Sequence, residues 1–164
     1  MSNMKDTNTL DMFTSTKPYE TKSFSVMEVF FDGGCSPNPG QKYGSFEVWF
    51  NGEKVRGLKR VQFGHGTNNE AEWNALELAL EHAHVWLVLQ GMLPETFQIK
   101  VETDSKNVQY RLVSKNRIHR KQEYQSASER MFNLASACLD RLKKFGAFTV
   151  EWKRRDANVE RFGH

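Results

Sequence analysis

Two strand-forming segments of this 164-residue sequence each end on an aspartate, and a long helical pattern lies between them. The apolar run VMEVFFD ends on Asp32, and TFQIKVETD ends on Asp104. The intervening pattern has apolar residues at helical spacing, and it predicts a helix that Thr67 or Asn68 caps and Gly91 ends. Strands joined by a helical crossover run parallel, so the carboxyl ends of these two strands should share one edge of a sheet.

Further patterns along the sequence predict an α/β domain with a mixed five-stranded sheet. Residues 43–50 alternate, and Asn51-Gly52 is a strong signal for a hairpin that leads to a third strand over residues 53–63. Two more helices and a fifth strand are predicted over residues 105–113, 125–144 and 147–152. The order β-β-β-α-β-α-α-β makes the first three strands antiparallel and strands 1, 4 and 5 parallel, with helices on the faces of the sheet.

The chain length fits a single domain, which we place at residues 25–164, after a polar segment over residues 1–24 that we expect to be a flexible tail. The sequence shows neither a secretion signal nor an apolar run long enough to cross a bilayer. Cys35 and Cys138 are far apart and form no disulfide or metal pattern, which favours a reduced, cytoplasmic setting. We expect a monomer without a membrane or an obligate protein partner, and the net charge of +3 is compatible with an anionic partner.

Glu72 lies near the start of the predicted central helix, from which its side chain can reach the same sheet edge as Asp32 and Asp104. Three carboxylates in one place repel one another unless cations neutralise them, and hard oxygen ligands suit Mg²⁺ or Mn²⁺. Such a group predicts metal-assisted phosphodiester hydrolysis with two ions about 4 Å apart. The alternative is that each acid only caps a turn or a helix, as Asp104-Ser105 would at a helix start.

Three sequence segments, FFDGGCSPNPG, GTNNEAEWNAL and VETDSKNV, resemble the signature segments of the type 1 ribonuclease H family and occur in the same order. The resemblance extends over about residues 26–162. It implies a ribonuclease H-like fold and an endoribonuclease that uses two Mg²⁺ ions, or Mn²⁺, to cut the RNA strand of an RNA–DNA hybrid into 3′-hydroxyl and 5′-phosphate ends. Two other functions stay open, namely a DNA or structure-specific nuclease and a non-catalytic hybrid-binding module.

The resemblance also assigns roles to individual residues. It makes Asp32 the aspartate that bridges both metal ions, with Glu72 and Asp104 as the other catalytic metal ligands. The residues that match positions contacting the hybrid in its minor groove are Asn38, Asn68 and Asn69, with Cys35 and Lys106 beside them. Amide side chains suit this task because they can bond 2′-hydroxyls and base edges without demanding one sequence.

The fourth acid of the family has no counterpart in the segment RRDANVERFGH, because Phe162 stands in its place. Three explanations stay open: His164 supplies a metal ligand, Asp156 or Glu160 takes the place of the acid, or water fills the position. The missing acid is also what supports the alternative of a non-catalytic hybrid-binding module. Because the sequence stops at His164, we expect the helix that follows this acid in the family to be missing.

A stretch without acidic residues extends from Ser105 to Gln122, directly after Asp104. Such a patch would bind duplex phosphates in a salt-dependent way, and we assign Arg117 and Arg120 to substrate binding; the alternative is an ordinary solvated loop. The same stretch also contains Lys106, Arg111, Lys115 and Lys121. Three basic residues later in the chain could add phosphate contacts near the acids, namely Lys153, Arg154 and Arg155.

Overall fold

The computed structural model describes residues 25–113 and 126–164. Within these ranges the chain forms five strands and four α-helices, with a short 3₁₀ turn at Pro94–Thr96. The elements are, in chain order, β1 (Ser25–Cys35), β2 (Gly40–Phe50), β3 (Glu53–Gly66), α1 (Asn68–Leu89), β4 (Phe97–Thr103), α2 (Lys106–Val113), α3 (Ser126–Leu142), β5 (Ala147–Trp152) and α4 (Arg155–Phe162). The predicted tail over residues 1–24 and the basic residues Arg117 and Arg120 lie outside the described residues, so these predictions stay predictions.

The five strands form one mixed sheet in the order β3-β2-β1-β4-β5. Strands β1, β2 and β3 are antiparallel neighbours, whereas β1, β4 and β5 run parallel, which confirms the predicted sheet. Asn51 and Gly52 both adopt positive φ in the turn between β2 and β3, as a two-residue hairpin turn requires. Strand β1 continues beyond its predicted end at Asp32, because its pairing with β2 extends to Cys35. Its parallel pairing with β4 stops at Phe30, so Asp32 still lies just past the parallel edge.

Apolar side chains from α1, α3 and one face of the sheet form the core. Thr67, and not Asn68, caps α1, because its Oγ1 atom accepts a hydrogen bond from the Glu70 N–H at 3.3 Å. Among the fully buried side chains are Val29, Phe31, Phe46, Trp73, Leu76, Leu80, Ile99 and Leu142. Each of these contributes about 1.5–3 kcal/mol by leaving water. No helix in the described ranges is long and apolar enough to cross a membrane.

The short helix α4 is an element that the sequence analysis does not predict. Its Asn158 side chain donates a hydrogen bond to the backbone oxygen of Phe31 at 3.4 Å. The Arg161 guanidinium lies 3.6 Å from the centre of the Phe30 ring and pairs with Glu47 at 3.3 Å. These contacts hold α4 against β1, which is the strand that carries Asp32.

Gly33 is the point at which α1 comes closest to β1. A β-carbon at this position would overlap the backbone carbonyl of Ala71 and lie 2.6 Å from the backbone nitrogen of Glu72. Since these neighbours are backbone atoms that cannot rotate away, only glycine permits the approach. The first turns of α1 therefore lie directly against the residue that follows Asp32.

Gly33→Ala should lower the free energy of unfolding by about 2–3 kcal/mol, because the added methyl group forces α1 away from β1 as in an overpacked core. Urea unfolding followed by circular dichroism measures the loss. Gly57→Ala is the matched control, since its added β-carbon would lie 3.2 Å from the nearest atom and should cost less than about 1 kcal/mol. Equal losses in the two variants would contradict the close approach at Gly33.

Candidate active site

Three carboxylates from separate parts of the fold lie together at the edge of the sheet. Asp32 belongs to β1, Glu72 to the second turn of α1, and Asp104 directly follows β4. One oxygen atom from each lies within 4.8 Å of the others. They line an open pocket of about 420 Å³, which has room for several groups the size of a water molecule. The structure therefore brings together the three acids that the strand ends and the crossover helix predict to converge.

Burial and mutual repulsion raise the pKa of two of these acids. The pKa of Asp32 rises from 3.8 to about 7, first because the group is buried and second because Asp104 is charged. The pKa of Glu72 rises from 4.5 to about 7, mainly through burial, although a hydrogen bond with Ser105 opposes the shift. The charge of Arg155 lowers the pKa of both groups. The pocket therefore holds its negative charges at a cost in free energy, and a bound cation would remove that cost.

The hydroxyl of Ser105, and not the carboxylate of Asp104, caps α2. Ser105 Oγ accepts a hydrogen bond from the Val108 N–H at 3.3 Å, and the Ser105 N–H donates to Thr103 Oγ1 at 3.0 Å. The indole N–H of Trp152 donates to the backbone oxygen of Asp104 at 2.9 Å and fixes the backbone there. The predicted cap at Asp104-Ser105 is thus formed by Ser105, whereas Asp104 lines the acidic pocket.

His164 enters the same pocket from the end of α4. The helix ends at Gly163, whose φ of 76° is the left-handed conformation that lets the chain turn back. The Nδ1 atom of His164 lies 3.0 Å from Asp32 Oδ2, and its Nε2 atom lies 2.8 Å from Ser45 Oγ. Only 8% of the side chain is exposed. Burial lowers the pKa of His164, and the charges of Arg60 and Arg155 act in the same direction, which favours the neutral ring.

One family model, described as RNase H, matches the sequence over residues 25–155. This chain belongs to the RNase H family. A comparison with curated proteins gives no match to the chain. The family assignment agrees with the order of elements in the sheet and with the position of the acids at its edge.

Solved RNase H structures share the fold of this chain. RNase H1 from Halobacterium salinarum NRC-1 has 22% sequence identity and a TM-score of 0.64, over 84% of this chain and 92% of the other. The N-terminal RNase H domain of a Mycobacterium tuberculosis protein has 21% identity and a TM-score of 0.64, over 83% and 87%. LC11-RNase H1, solved in complex with an RNA/DNA hybrid, has 19% identity and a TM-score of 0.62, over 82% and 89%. At these identities the matches establish the fold.

Phe162, which the sequence resemblance aligns with the fourth acid of the family, is buried beside His164. Phe162 is 5% exposed, and its ring stacks on the His164 ring with 6.0 Å between their centres. Asp156 and Glu160 are exposed, and Glu160 lines a separate groove. The structure therefore does not support an explanation through Asp156 or Glu160. His164 is the residue of this segment whose side chain reaches Asp32.

Three of the residues predicted to contact a hybrid form one hydrogen-bonded cluster. The Cys35 N–H donates to Asn68 Oδ1 at 2.7 Å, and the Asn68 N–H donates to Asn38 Oδ1 at 3.2 Å. Cys35 and Asn68 also line the acidic pocket. Asn69 and Lys106 are exposed and do not belong to that lining. The fold thus brings Asn38, Asn68 and Cys35 together beside the acids and leaves the other two apart.

Tyr43 and Ser45 of β2 are site residues that the sequence analysis does not identify. Tyr43 lines the acidic pocket, and the centre of its ring lies 5.2 Å from that of His164. Ser45 is fully buried and pairs with Asp32 across β1 and β2. If the register between β1 and β2 were known from the sequence, it would place both residues beside the site. The connection SPNP between the two strands does not specify that register. Arg155, for which phosphate contact is predicted, does line the pocket.

The raised pKa values of Asp32 and Glu72 make the stability of the metal-free protein depend on pH. Below about pH 4 both the folded and the unfolded chain carry the protons, whereas between about pH 4 and 7 only the folded chain keeps them. The stability that these protons provide is therefore lost as pH rises through this window. Above about pH 7 both carboxylates are charged in the folded protein, and the loss is complete.

Asp32→Asn removes one of these charges and should stabilise the metal-free protein at pH 8 by about 1–3 kcal/mol, since one pKa unit corresponds to about 1.4 kcal/mol. At pH 4 the variant and the wild type should be equally stable. Thermal unfolding in EDTA at both pH values measures the difference, and Mg²⁺ should raise the melting temperature of the wild type more than that of the variant. A stability difference that is the same at pH 4 and pH 8 would contradict the shared negative pocket.

Proposed function

We propose that this protein is an endoribonuclease that hydrolyses the RNA strand of RNA–DNA hybrids by two-metal-ion catalysis and leaves 3′-hydroxyl and 5′-phosphate ends. The observation that carries the proposal is the group formed by Asp32, Glu72 and Asp104, whose oxygens lie within 4.8 Å of one another. Membership of the RNase H family makes a nuclease the expected activity for such a group. LC11-RNase H1 was solved with an RNA/DNA hybrid, which supports the same class of substrate here.

The donor set fits hard divalent cations. All three clustered donors are carboxylate oxygens, which suit Mg²⁺, with Mn²⁺ as a substitute. Asp32 belongs to the cluster with Glu72 and Asp104, and it also lies 3.0 Å from His164 Nδ1. We therefore assign one ion to the three acids and a second ion to Asp32 and His164. Two bound ions would supply an acidified water as nucleophile and stabilise the leaving oxygen.

Residues of the chain itself hold and orient the groups that react. Ser105 hydrogen-bonds the Glu72 carboxylate and so fixes its direction. Ser45 hydrogen-bonds Nε2 of His164, and such outer partners are what orient histidine ligands in metal sites. Arg155 brings a positive charge to the pocket that the substrate phosphate must enter. The chain thus supplies a rigid, partly buried frame for the reacting phosphate.

The amide cluster beside the acids suits the minor groove of a hybrid duplex. The side-chain oxygens of Asn38 and Asn68 already accept hydrogen bonds within the protein, so their NH₂ groups are what they offer to a substrate. Such donors can bond 2′-hydroxyls and base acceptors without demanding one sequence. We assign further contacts with the duplex to Asn69, Lys106, Arg117 and Arg120.

A second candidate function is hybrid binding without catalysis. It is favoured by Phe162, which takes the place of the fourth acid and is buried. It is opposed by the acidic cluster, because a module that only binds has no use for three carboxylates that repel one another and repel phosphate. Incubation with a labelled hybrid in Mg²⁺, Mn²⁺ or EDTA decides between them. Metal-dependent cutting of the RNA strand alone supports the nuclease, and binding without cutting supports the module.

Asp104→Asn should slow hybrid cleavage more than about 100-fold, since even outer partners of metal ligands are worth 10- to 100-fold. Hybrid affinity should stay unchanged or rise, because a charge that repels phosphate is lost. Single-turnover cleavage of a labelled hybrid and fluorescence anisotropy measure the two effects. Asp140→Asn, at an exposed acid of α3, is the control, and unchanged turnover in Asp104→Asn would remove Asp104 from the site.

His164→Ala should weaken Mn²⁺ binding and slow cleavage, each by about 10- to 100-fold, because one of the proposed ions loses a ligand. Titration of Mn²⁺ followed by electron paramagnetic resonance measures binding without any substrate. His65→Ala changes an exposed histidine and should leave both quantities unchanged. If Mn²⁺ affinity is the same in His164→Ala and in the wild type, His164 is not a metal ligand.

A further inference from the structure

A β-bulge in β3 lies across the sheet from the acidic pocket. The register shifts at Ser45 of β2, which faces two residues of β3, Lys59 and Arg60. Bulges re-aim side chains and are common next to active sites. Ser45 in turn pairs with Asp32 on β1. With neighbouring strands about 4.8 Å apart, the bulge lies roughly 10 Å from Asp32.

Arg60 holds an unusual backbone conformation in this bulge. Its φ is 52°, in the left-handed region that glycine adopts freely and that costs other residues about 1–2 kcal/mol. Two contacts keep it there. Its N–H donates to Ser45 Oγ at 3.0 Å, and its guanidinium carbon lies 5.4 Å from the centre of the Tyr43 ring. Strained residues that their surroundings hold in place cluster at functional sites.

The bulge lies against the lining of the acidic pocket. The Tyr43 ring beside the Arg60 guanidinium lines that pocket and lies 5.2 Å from the His164 ring. The backbone N–H of Arg60 donates to Ser45 Oγ at 3.0 Å, and the same oxygen lies 2.8 Å from Nε2 of His164, so direct contacts connect the bulge to the site. Neither Lys59 nor Arg60 forms an ion pair with an acid in residues 25–113 or 126–164.

Other basic residues of β3 have an ordinary explanation. β3 is an edge strand, and exposed residues such as Lys54 and Arg56 protect such an edge from pairing with other chains. That role needs charge alone. It needs neither a left-handed backbone, nor an aromatic partner, nor a position two strands away from Asp32, and Arg60 has all three. Protection of the edge therefore does not account for Arg60.

We propose that Lys59 and Arg60 form a phosphate-binding site beside the acidic pocket, which binds the backbone of the cleaved strand next to the reacting phosphate. The guanidinium of Arg60 offers parallel N–H donors that match a phosphate, and Lys59 adds a second charge. A distance of roughly 10 Å from Asp32 puts neighbouring phosphates of the same strand within reach of the arginine side chain. The inference rests on the proposed cleavage of RNA–DNA hybrids.

The test compares Arg60→Ala, Arg60→Gly and the control Arg56→Ala, each combined with Asp104→Asn so that the hybrid is bound without being cut. Hybrid affinity is measured at several salt concentrations. Loss of one phosphate contact should weaken binding about 3- to 10-fold near 0.1 M salt and reduce the slope of log affinity against log salt by about 1. Arg56→Ala should change affinity less than about 2-fold. Cleavage by the wild type is measured in parallel, and its absence would overturn the proposed function rather than the phosphate site.

Arg60→Gly separates binding from folding. Glycine relieves the left-handed strain, so this variant should melt at the same or a higher temperature while it binds the hybrid as weakly as Arg60→Ala. A merely structural role would move stability and affinity in the same direction. Arg60 variants that bind like their parent, or an equal loss of affinity in Arg56→Ala, would overturn the proposal.

Uncharged methylphosphonate linkages locate the phosphate that is bound. One such linkage in the RNA strand, next to the preferred cut, should weaken binding to the parent protein and leave Arg60→Ala unaffected, because that contact is already lost. The same linkage in the DNA strand should affect both proteins equally. Arg60→Ala could instead lower hybrid affinity equally with and without a methylphosphonate in the RNA strand, and lose this effect only when the linkage is in the DNA strand. The assignment of the site to the cleaved strand would then be wrong.

Discussion

The absence of a side chain at Gly33 is the constraint on which the site depends. It lets the first turns of α1 lie against β1, and this approach carries Glu72 to Asp32. Asp104 arrives independently, because parallel pairing puts the end of β4 beside β1. Two unrelated pieces of backbone geometry therefore place three like charges within 4.8 Å of one another. Neither the approach at Gly33 nor the pairing of β1 with β4 involves the carboxylates. The fold can therefore form without any attractive interaction of these acids.

The charge of the site acts against the stability of the fold that holds it. Burial and repulsion raise the pKa of Asp32 and Glu72 to about 7, so at higher pH the folded protein carries charges that the unfolded chain would keep in water. Fully buried residues such as Phe31 and Leu76 contribute about 1.5–3 kcal/mol each and offset this cost. A ligand that binds only the folded state adds further stability, so cation binding and folding are linked.

Sequence patterns were sufficient where the site follows from regular geometry. The ends of two parallel strands predict where Asp32 and Asp104 lie, because strands that run parallel in one sheet end at the same edge. The bulge at Arg60 could not be predicted in this way. In a sequence, glycine is the usual signal for a left-handed backbone conformation, whereas here contacts from β2 hold an arginine in that conformation. Helix α4 is likewise held by tertiary contacts, such as the hydrogen bond from Asn158 to β1, rather than by an apolar period. The turn at Gly163 that brings the last residue into the pocket depends on that helix.

Under the proposed function, a histidine rather than a fourth acid completes the metal site, and this changes the charge of the loaded pocket. Phe162, which the sequence resemblance aligns with the fourth acid, carries no charge, and the ring of His164 lies against Asp32. With two divalent cations bound as proposed, three carboxylates leave one positive charge uncompensated, whereas four would leave none. Such a pocket would hold its cations less tightly and would attract a substrate phosphate more strongly. Arg155 lines the same pocket, and Arg60 lies beside its Tyr43 wall, so both would add to the attraction for phosphate under the proposed function.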